Sequence, residues 1–298
     1  VFPNSLKATE LLRLWMEKLN SYSTFKFYPD HKLIKIEEKI IYFNNNNKTF
    51  QINAPVLIMG MGGASYPSTG SNGEWLKQFK KLGIKTYPFK PMNCGFEYSW
   101  TSVLKAKFNN SPLKNISITL NNKTVRGEII ITSYGIEGAP VYILSREIRE
   151  TIDKAKSATV HIDLVPDLCV EKVLLNLNKN KGKNSLSNHL RKRLNLPPIK
   201  TALFRELANE DVLNDFCKLS QTIKKLPLTL EKPRPIEEAI STSGGVSFEE
   251  LNEYFMLKKY PGWFAAGEMV DWDAPTGGFL LQGCFSTAFT AVEGIQRF

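Results

Sequence analysis

An α/β fold assembled from two separated stretches of chain is predicted by three observations. The runs "PVLIMG" (55–60) and "WFAA" (263–266) are short, continuous and apolar, as strands buried on both faces are, and each leads directly into glycine. Helical spacing follows each run. Between them, from about Lys85 to Pro235, the texture turns to short β-like pieces and then to helices. The α/β part is therefore interrupted by a β-rich insertion that itself carries a helical insertion. The expected division is 1–85 with 236–298, then 86–169 with 220–235, then 170–219.

Leu11, Leu12, Leu14, Trp15 and Leu19 fall at helical spacing, so 5–20 reads as an amphipathic helix beginning at Ser5. Strand-like pieces follow at 25–28, 32–37, 40–43 and 49–53, the last after the turn "NNNN". The apolar run 55–60 then reaches Gly60, Gly62 and Gly63, and 75–82 reads as a helix. In the insertion, "NISITL", "GEIIITSYG" and "ATVHIDLVP" read as strands, and a helix starts near Pro140. "EKVLLNLNKN", "LSNHLRKRL" and "IKTALFRELANEDVLNDFCKL" read as helices, and "KKLPLTLEK" as a final strand before Pro233 and Pro235. The chain then returns to a Gly-rich style with "STSGGVSFEEL", and a last helix begins near Gly277 and Gly278.

At 298 residues the chain can bury a substantial core, and 42% hydrophobic with 23% charged residues is an ordinary globular composition. No apolar run approaches the roughly 20 residues of a membrane helix. Cys94, Cys169, Cys217 and Cys284 are widely separated, which suggests neither a metal site nor a disulfide framework and fits a reducing cytoplasm. The net charge of +10 invites a nucleic-acid partner. Much of the excess is Lys among Asn, as in "NLNKNKGKN", for which solvated loops are the simpler account. Nucleic acid is thus the lesser expectation and a small molecule the greater.

Three glycine-rich segments hold the candidate chemistry. "MGMGGASYPSTGS" stands where a buried strand gives way to a loop and helix, the carboxyl edge at which parallel sheets bind ligands. A plain Gly-rich turn explains it equally well. "STSGGVSFEE" is the second, and "AAGEMVDWDAPTGGF" the third. A helix starting near Gly277 and Gly278 would aim its free N–H groups at electron-rich atoms, and Glu268 at a strand end could accept from ligand hydroxyls. Three such segments suit one elongated ligand better than three unrelated turns.

These blocks, with "VFPNSLKATELL", "PMNCGFEYSW", "GIEGAPVYILS" and "SLSNHLRKRL", occur in the order found in the BaiN-like family of NAD(P)/FAD-dependent oxidoreductases, which the whole chain resembles. The resemblance implies a bacterial flavoprotein with a glutathione-reductase-like, FAD-binding Rossmann domain and NAD(P)H as a possible reductant. It implies that Gly267 and Glu268 meet the ribityl and pyrophosphate region, and that Gly277, Gly278, Phe279 and Leu280 form the helix entrance beside the flavin pyrimidine. Gly244, Gly245 and Val246 correspond to a turn facing the isoalloxazine, and Gly62, Gly63 and Ala64 to the loop near adenosine and pyrophosphate. The family begins with a strand–GxGxxG–helix unit that does not occur here. The expectation is that the sequence opens inside the protein and that these residues alone hold FAD weakly or not at all.

Catalytic candidates are sparse. His31, His161 and His189 are not adjacent in sequence to the glycine-rich segments, and Cys94 and Cys284 read more readily as packing residues. Tyr134 and Glu137, in "SYGIEGAP", are better placed, on a Gly-flanked loop before a helix. Asp271 and Asp273 read as a solvated loop, and Arg191, Lys192, Arg193 and Lys200 as solvated charges on helices packed through Leu190, Leu194 and Leu196.

Overall fold

A computed structural model describes residues 7–37 and 39–298, so the expected helix start at Ser5 lies outside the described residues. Helix α1 (Ala8–Asn20) is followed by an antiparallel meander, β1 (Lys32–Glu37), β2 (Ile40–Asn45) and β3 (Lys48–Asn53). The strand expected at 25–28 is absent, because Phe27 and Tyr28 are exposed and find no partner strand. Then come β4 (Leu57–Met59), α2 (Trp75–Lys81) and β5 (Thr86–Met92). The middle of the chain contains β6 (Phe96–Glu97), α3 (Ser102–Phe108), β7 (Ser111–Leu120), β8 (Lys123–Ile131), β9 (Gly135–Glu137), α4 (Ala139–Ile143), α5 (Ser145–Ala155) and β10 (Ala158–Asp163). Four helices follow, α6 (Val170–Leu177), α7 (Leu186–Leu194), α8 (Pro198–Leu207) and α9 (Phe216–Lys224), then β11 (Leu226–Leu230). The chain ends with β12 (Ser241–Val246), β13 (Trp263–Ala265) and the 19-residue α10 (Phe279–Arg297).

The larger core forms around a six-stranded antiparallel sheet, ordered β11-β10-β7-β8-β9-β6. Alternation places Val160 and Ile162 of β10, Ile116 and Ile118 of β7 and Leu226, Leu228 and Leu230 of β11 in a closed interior. Helices α6 to α9 add Val173, Leu177, Leu190, Phe204 and Ile223 to the same cluster. Side-chain caps start three helices: Thr101 at α3, Ser185 at α7 and Asp215 at α9 each accept from a first-turn N–H, which removes an orphan donor.

The second core gathers Trp75, Leu76, Phe79, Trp263, Ala265 and Met269 around β4 and β13, which run parallel with Leu57 opposite Trp263. Strand β4 corrects the expectation of burial on both faces. It is three residues long, with Ile58 40% exposed, since β13 is its sheet partner among the described residues. Strand β12 pairs with β5 across some 150 positions of sequence, joining "STSGGV" to the start of the middle region. No helix among the described residues is long and apolar enough to cross a membrane.

Candidate functional site

The Glu268 carboxylate ties the three glycine-rich segments to one another. Its Oε2 accepts from Gly63 N at 3.3 Å, and its Oε1 accepts from Thr242 N at 2.9 Å and Thr242 Oγ1 at 3.3 Å. A carboxylate accepting backbone N–H groups is a strong charge-assisted contact. Glu268 therefore acts as a staple among a β4 loop, β12 and the short turn after β13. Asp271 plays a parallel part: its Oδ1 accepts from Gly244 N at 3.0 Å, and burial pushes its carboxyl pKa up.

Asp273 is held at 3.2 Å by Arg146 and at 3.4 Å by the buried Arg149, which also donates to Pro91 O. Both aspartates thus brace the loop that leads to α10, and the expectation of a solvated loop is corrected. Asn93 braces it from the other side, donating to Ser241 Oγ and Ala274 O, each at 2.7 Å. The Asn93 Oδ1 is buried without a partner among the described residues.

The glycines separate into two kinds. At Gly63 an added Cβ would meet Thr242 Oγ1 at 2.0 Å, at Gly244 the Pro88 carbonyl at 2.4 Å and at Gly245 the Met269 carbonyl at 2.3 Å, so packing alone demands glycine there. Val246 is fully buried in the second core, and Ala64 packs close to Gly73. Gly62 stands beside the buried hydroxyl of Ser71, which has no partner among the described residues.

Gly277 and Gly278 are different. Both have φ near +100°, at 105° and 90°, yet the space beyond Gly278 is empty and that beyond Gly277 holds only the edge of Phe279. Their conformation is strained for any other residue although no protein atom fills the room they leave. Helix α10 starts there, with Gly278 as its N-cap and no side chain capping it. The free first-turn amides and the helix dipole suit an electron-rich group. Gly267 packs against the second and third turns of the same helix, beside Cys284 and with its N–H donating to Thr287 Oγ1 at 2.9 Å, and Phe279 and Leu280 lie at the helix mouth. A flat, hydrogen-bond-accepting ring system of the FAD class fits this open end.

Tyr134 and Glu137 form a pair, the Tyr134 hydroxyl donating to Glu137 Oε2 at 2.5 Å while Arg234 covers the ring at 4.2 Å. Burial, and then the neighbouring carboxylate, push the phenol pKa up, so it keeps its proton. A Cβ added to Gly95 would lie 3.2 Å from the Tyr134 hydroxyl, and Gly95 is two residues from Asn93, which holds the α10 loop. Burial, and then the Glu137 carboxylate, push the Tyr142 phenol pKa up as well. Sequence reading missed Tyr66, Asn93 and Tyr142; Asn93, for one, meets Ser241 and Ala274 from 148 and 181 positions away, which no local motif records.

The histidines lie elsewhere. His189 is buried, its Nε2 2.8 Å from Leu177 O and its ring stacked on Phe216, and His31 bonds its own loop through Pro29 O. Cys94 is buried beside Ser145, and Cys284 sits below Gly267; burial raises both thiol pKa values. A cleft of about 1020 Å³ lies between β1 and residues 61–78 and is not lined by Gly267 or Gly277–Leu280. Among the described residues no cluster of three His, Cys, Asp or Glu could hold a metal.

The chain is 23% identical over 318 residues to a 3-dehydro-bile acid delta(4,6)-reductase of Clostridium scindens, covering 98% of this chain and 74% of that protein. It is 25% identical over 250 residues to the ribosomal RNA dihydrouridine synthase of Escherichia coli, covering 80% of this chain and 60% of that one. Among solved structures it is similar to 3-ketosteroid delta1-dehydrogenase from Sterolibacterium denitrificans, at 11% identity and a TM-score of 0.39, over 89% of this chain and 58% of the other. The family model of the HI0933-like protein Rossmann domain matches residues 1–294, nearly the whole sequence, and the chain belongs to that family.

Proposed function

We propose that this protein binds FAD and reduces a carbon–carbon double bond conjugated to a carbonyl, with NAD(P)H as the reductant. The observation that carries the reading is the vacant approach at Gly277–Gly278 onto the uncapped N-terminus of α10. The two curated relatives add the reaction class. A 3-keto steroid with double bonds at positions 4 and 6 and the uracil ring of uridine both present an alkene conjugated to a carbonyl, and both named activities concern that alkene.

When bound, FAD supplies hydride chemistry. The chain's own residues do the rest. The amides of Phe279 and Leu280 would receive the ring system, and the Glu268 staple would fix the loops around it. Asn93, Arg146, Arg149 and Asp273 hold the approach to α10. Tyr134 keeps a proton on its phenolic oxygen, 2.5 Å from Glu137, available to the substrate carbon next to the carbonyl once the neighbouring carbon has received hydride.

The test uses protein purified from its source. Acid release followed by chromatography is expected to yield FAD, and the yellow protein is expected to consume NAD(P)H with a conjugated enone or with uridine-containing RNA. Absence of flavin defeats the cofactor assignment. Flavin that is never reoxidised by either class of alkene defeats the reaction.

A further inference from the structure

The positive charge of this protein is concentrated in one place. Residues 172–205 carry nine Lys or Arg and no Asp or Glu, which leaves thirty basic and twenty-nine acidic residues for the rest of the chain. Nearly all of the net +10 therefore resides in α6 to α8 and their loops. None of the nine forms an ion pair among the described residues, although pairs are frequent elsewhere on the surface.

Four of the nine are engaged: Lys200 is buried on two backbone carbonyls, and Lys179, Lys192 and Arg193 bond neutral partners near Asn180. A groove of about 480 Å³ between α3, α7 and α8 gathers Arg191 and Arg205 from the basic stretch and Lys107 from α3. These three make no hydrogen bond or ion pair among the described residues. The one acid on its edge, Glu206, is occupied in accepting from Thr101 N and Thr101 Oγ1, both at 2.7 Å. Val103, Phe108, Pro198 and Ala202 supply an apolar lining. A second cleft of about 630 Å³ continues past Arg191 to Lys192, Asn195 and Pro197.

We infer that this track is a binding site for the sugar–phosphate backbone of RNA. Uncompensated guanidinium groups recognise phosphates in pairs of parallel hydrogen bonds, and an apolar lining accommodates ribose and base faces. A concave, two-part track suits a polymer chain, whereas a lipid surface would call for a projecting basic and apolar face. The inference deepens the proposed reduction of a conjugated alkene by naming RNA-borne uridine as its substrate class, and it rests on that reading for the chemistry but not for the binding.

The experiment measures fluorescence anisotropy of a labelled uridine-rich RNA hairpin against the full chain, the Lys107→Gln/Arg191→Gln/Arg205→Gln variant and the single Arg191→Glu variant. Far-ultraviolet circular dichroism checks folding, and flavin content is recorded for each protein. At low salt the triple variant is expected to bind at least tenfold more weakly, and its salt slope should be shallower by about two, since each phosphate contact contributes roughly 0.7 to 0.9. Arg191→Glu is expected to weaken binding with unchanged flavin content. Equal affinity of all three proteins overturns the inference, as does equal binding of oligothymidine DNA or of phosphatidylglycerol vesicles in place of RNA. RNA binding by a protein that carries no flavin leaves the groove in place and removes the proposed reaction; flavin without RNA binding does the reverse.

Discussion

Phe204 and Phe289 both sit on helices in apolar stretches, yet Phe204 on α8 is fully buried and Phe289 on α10 is 68% exposed. The contrast extends to their surroundings. Helices α6 to α9 turn their apolar residues into the six-stranded sheet, and that core closes on itself. Helix α10 buries only Ala291 and Gly294, while Leu281, Phe285, Phe289 and Val292 face outward at helical spacing; α1 buries none of its residues. The middle of the chain is therefore stabilised by side-chain packing. The α/β half is organised more by backbone contact, through glycines, the Glu268 staple and a two-stranded parallel pair.

The largest effect should come from breaking the packed side of this comparison. Phe204→Ala removes a fully buried ring and is expected to cost about 3–5 kcal/mol, whereas Phe289→Ala should stay within about 0.5 kcal/mol. Urea unfolding followed by tryptophan fluorescence measures both. A comparable loss for Phe289→Ala would mean that α10 is covered in solution, and the contrast would fall.

The glycines give the next sharpest test. Gly244→Ala forces a Cβ to 2.4 Å from the Pro88 carbonyl, so it should destabilise the fold by about 2–3 kcal/mol. Gly277→Val faces open room but must adopt a φ of +105°, a strain of about 1–3 kcal/mol, and it should also lose at least tenfold in FAD affinity, about 1.4 kcal/mol, which Gly244→Ala should not. Thermal melts with and without added FAD separate the two. If Gly277→Val lost thermal stability as Gly244→Ala does while keeping FAD, the distinction between packing glycines and ligand-facing glycines would be reversed.

Much of the middle region was legible because its strands alternate and its helices keep an apolar stripe, so their periods survive in the sequence. The 25–28 segment misled for the opposite reason: "FKFY" alternates like a strand but lacks a partner. The open mouth at Gly277 could be read from a glycine pair opening a helix. Packing glycines such as Gly63 and Gly244 look identical in sequence, and the difference lies in Thr242 and Pro88, more than 150 positions away. Glu268 was noticed as an acid at a strand end, but its bond to Gly63 spans 205 residues, and no local pattern records it.

That staple sets a middle-sized prediction. Glu268→Ala orphans the amides of Gly63 and Thr242 and should cost about 2 kcal/mol, while Glu268→Gln keeps an acceptor and should cost less. Chemical denaturation of the pair orders them. Equal losses would indicate that the charge, rather than the accepting oxygen, holds the loops.

The smallest effect concerns Lys200, which the sequence presents as one more solvated charge on a basic helix. Its side chain is buried, and its Nζ donates to Leu164 O at 2.5 Å and Asn115 O at 2.7 Å, so it anchors α8 to the sheet. Burial pushes its pKa from 10.5 down to about 8, against the pull of Asp163 and Asp167. The folded state therefore releases this proton before the unfolded state does. Below pH 8 both states are protonated and Lys200 adds no slope; between about 8 and 10.5 the unfolded chain holds more protons, so stability attributable to this group rises with pH. Lys200→Met should remove that rise while lowering stability by a constant amount for the two carbonyls left without a donor. Melting temperatures of both proteins across this pH range supply the difference curve, in which every group common to the two cancels. A flat difference would show that the ammonium keeps its ordinary affinity for the proton, and that burial at α8 is less complete than the packed side of the comparison requires.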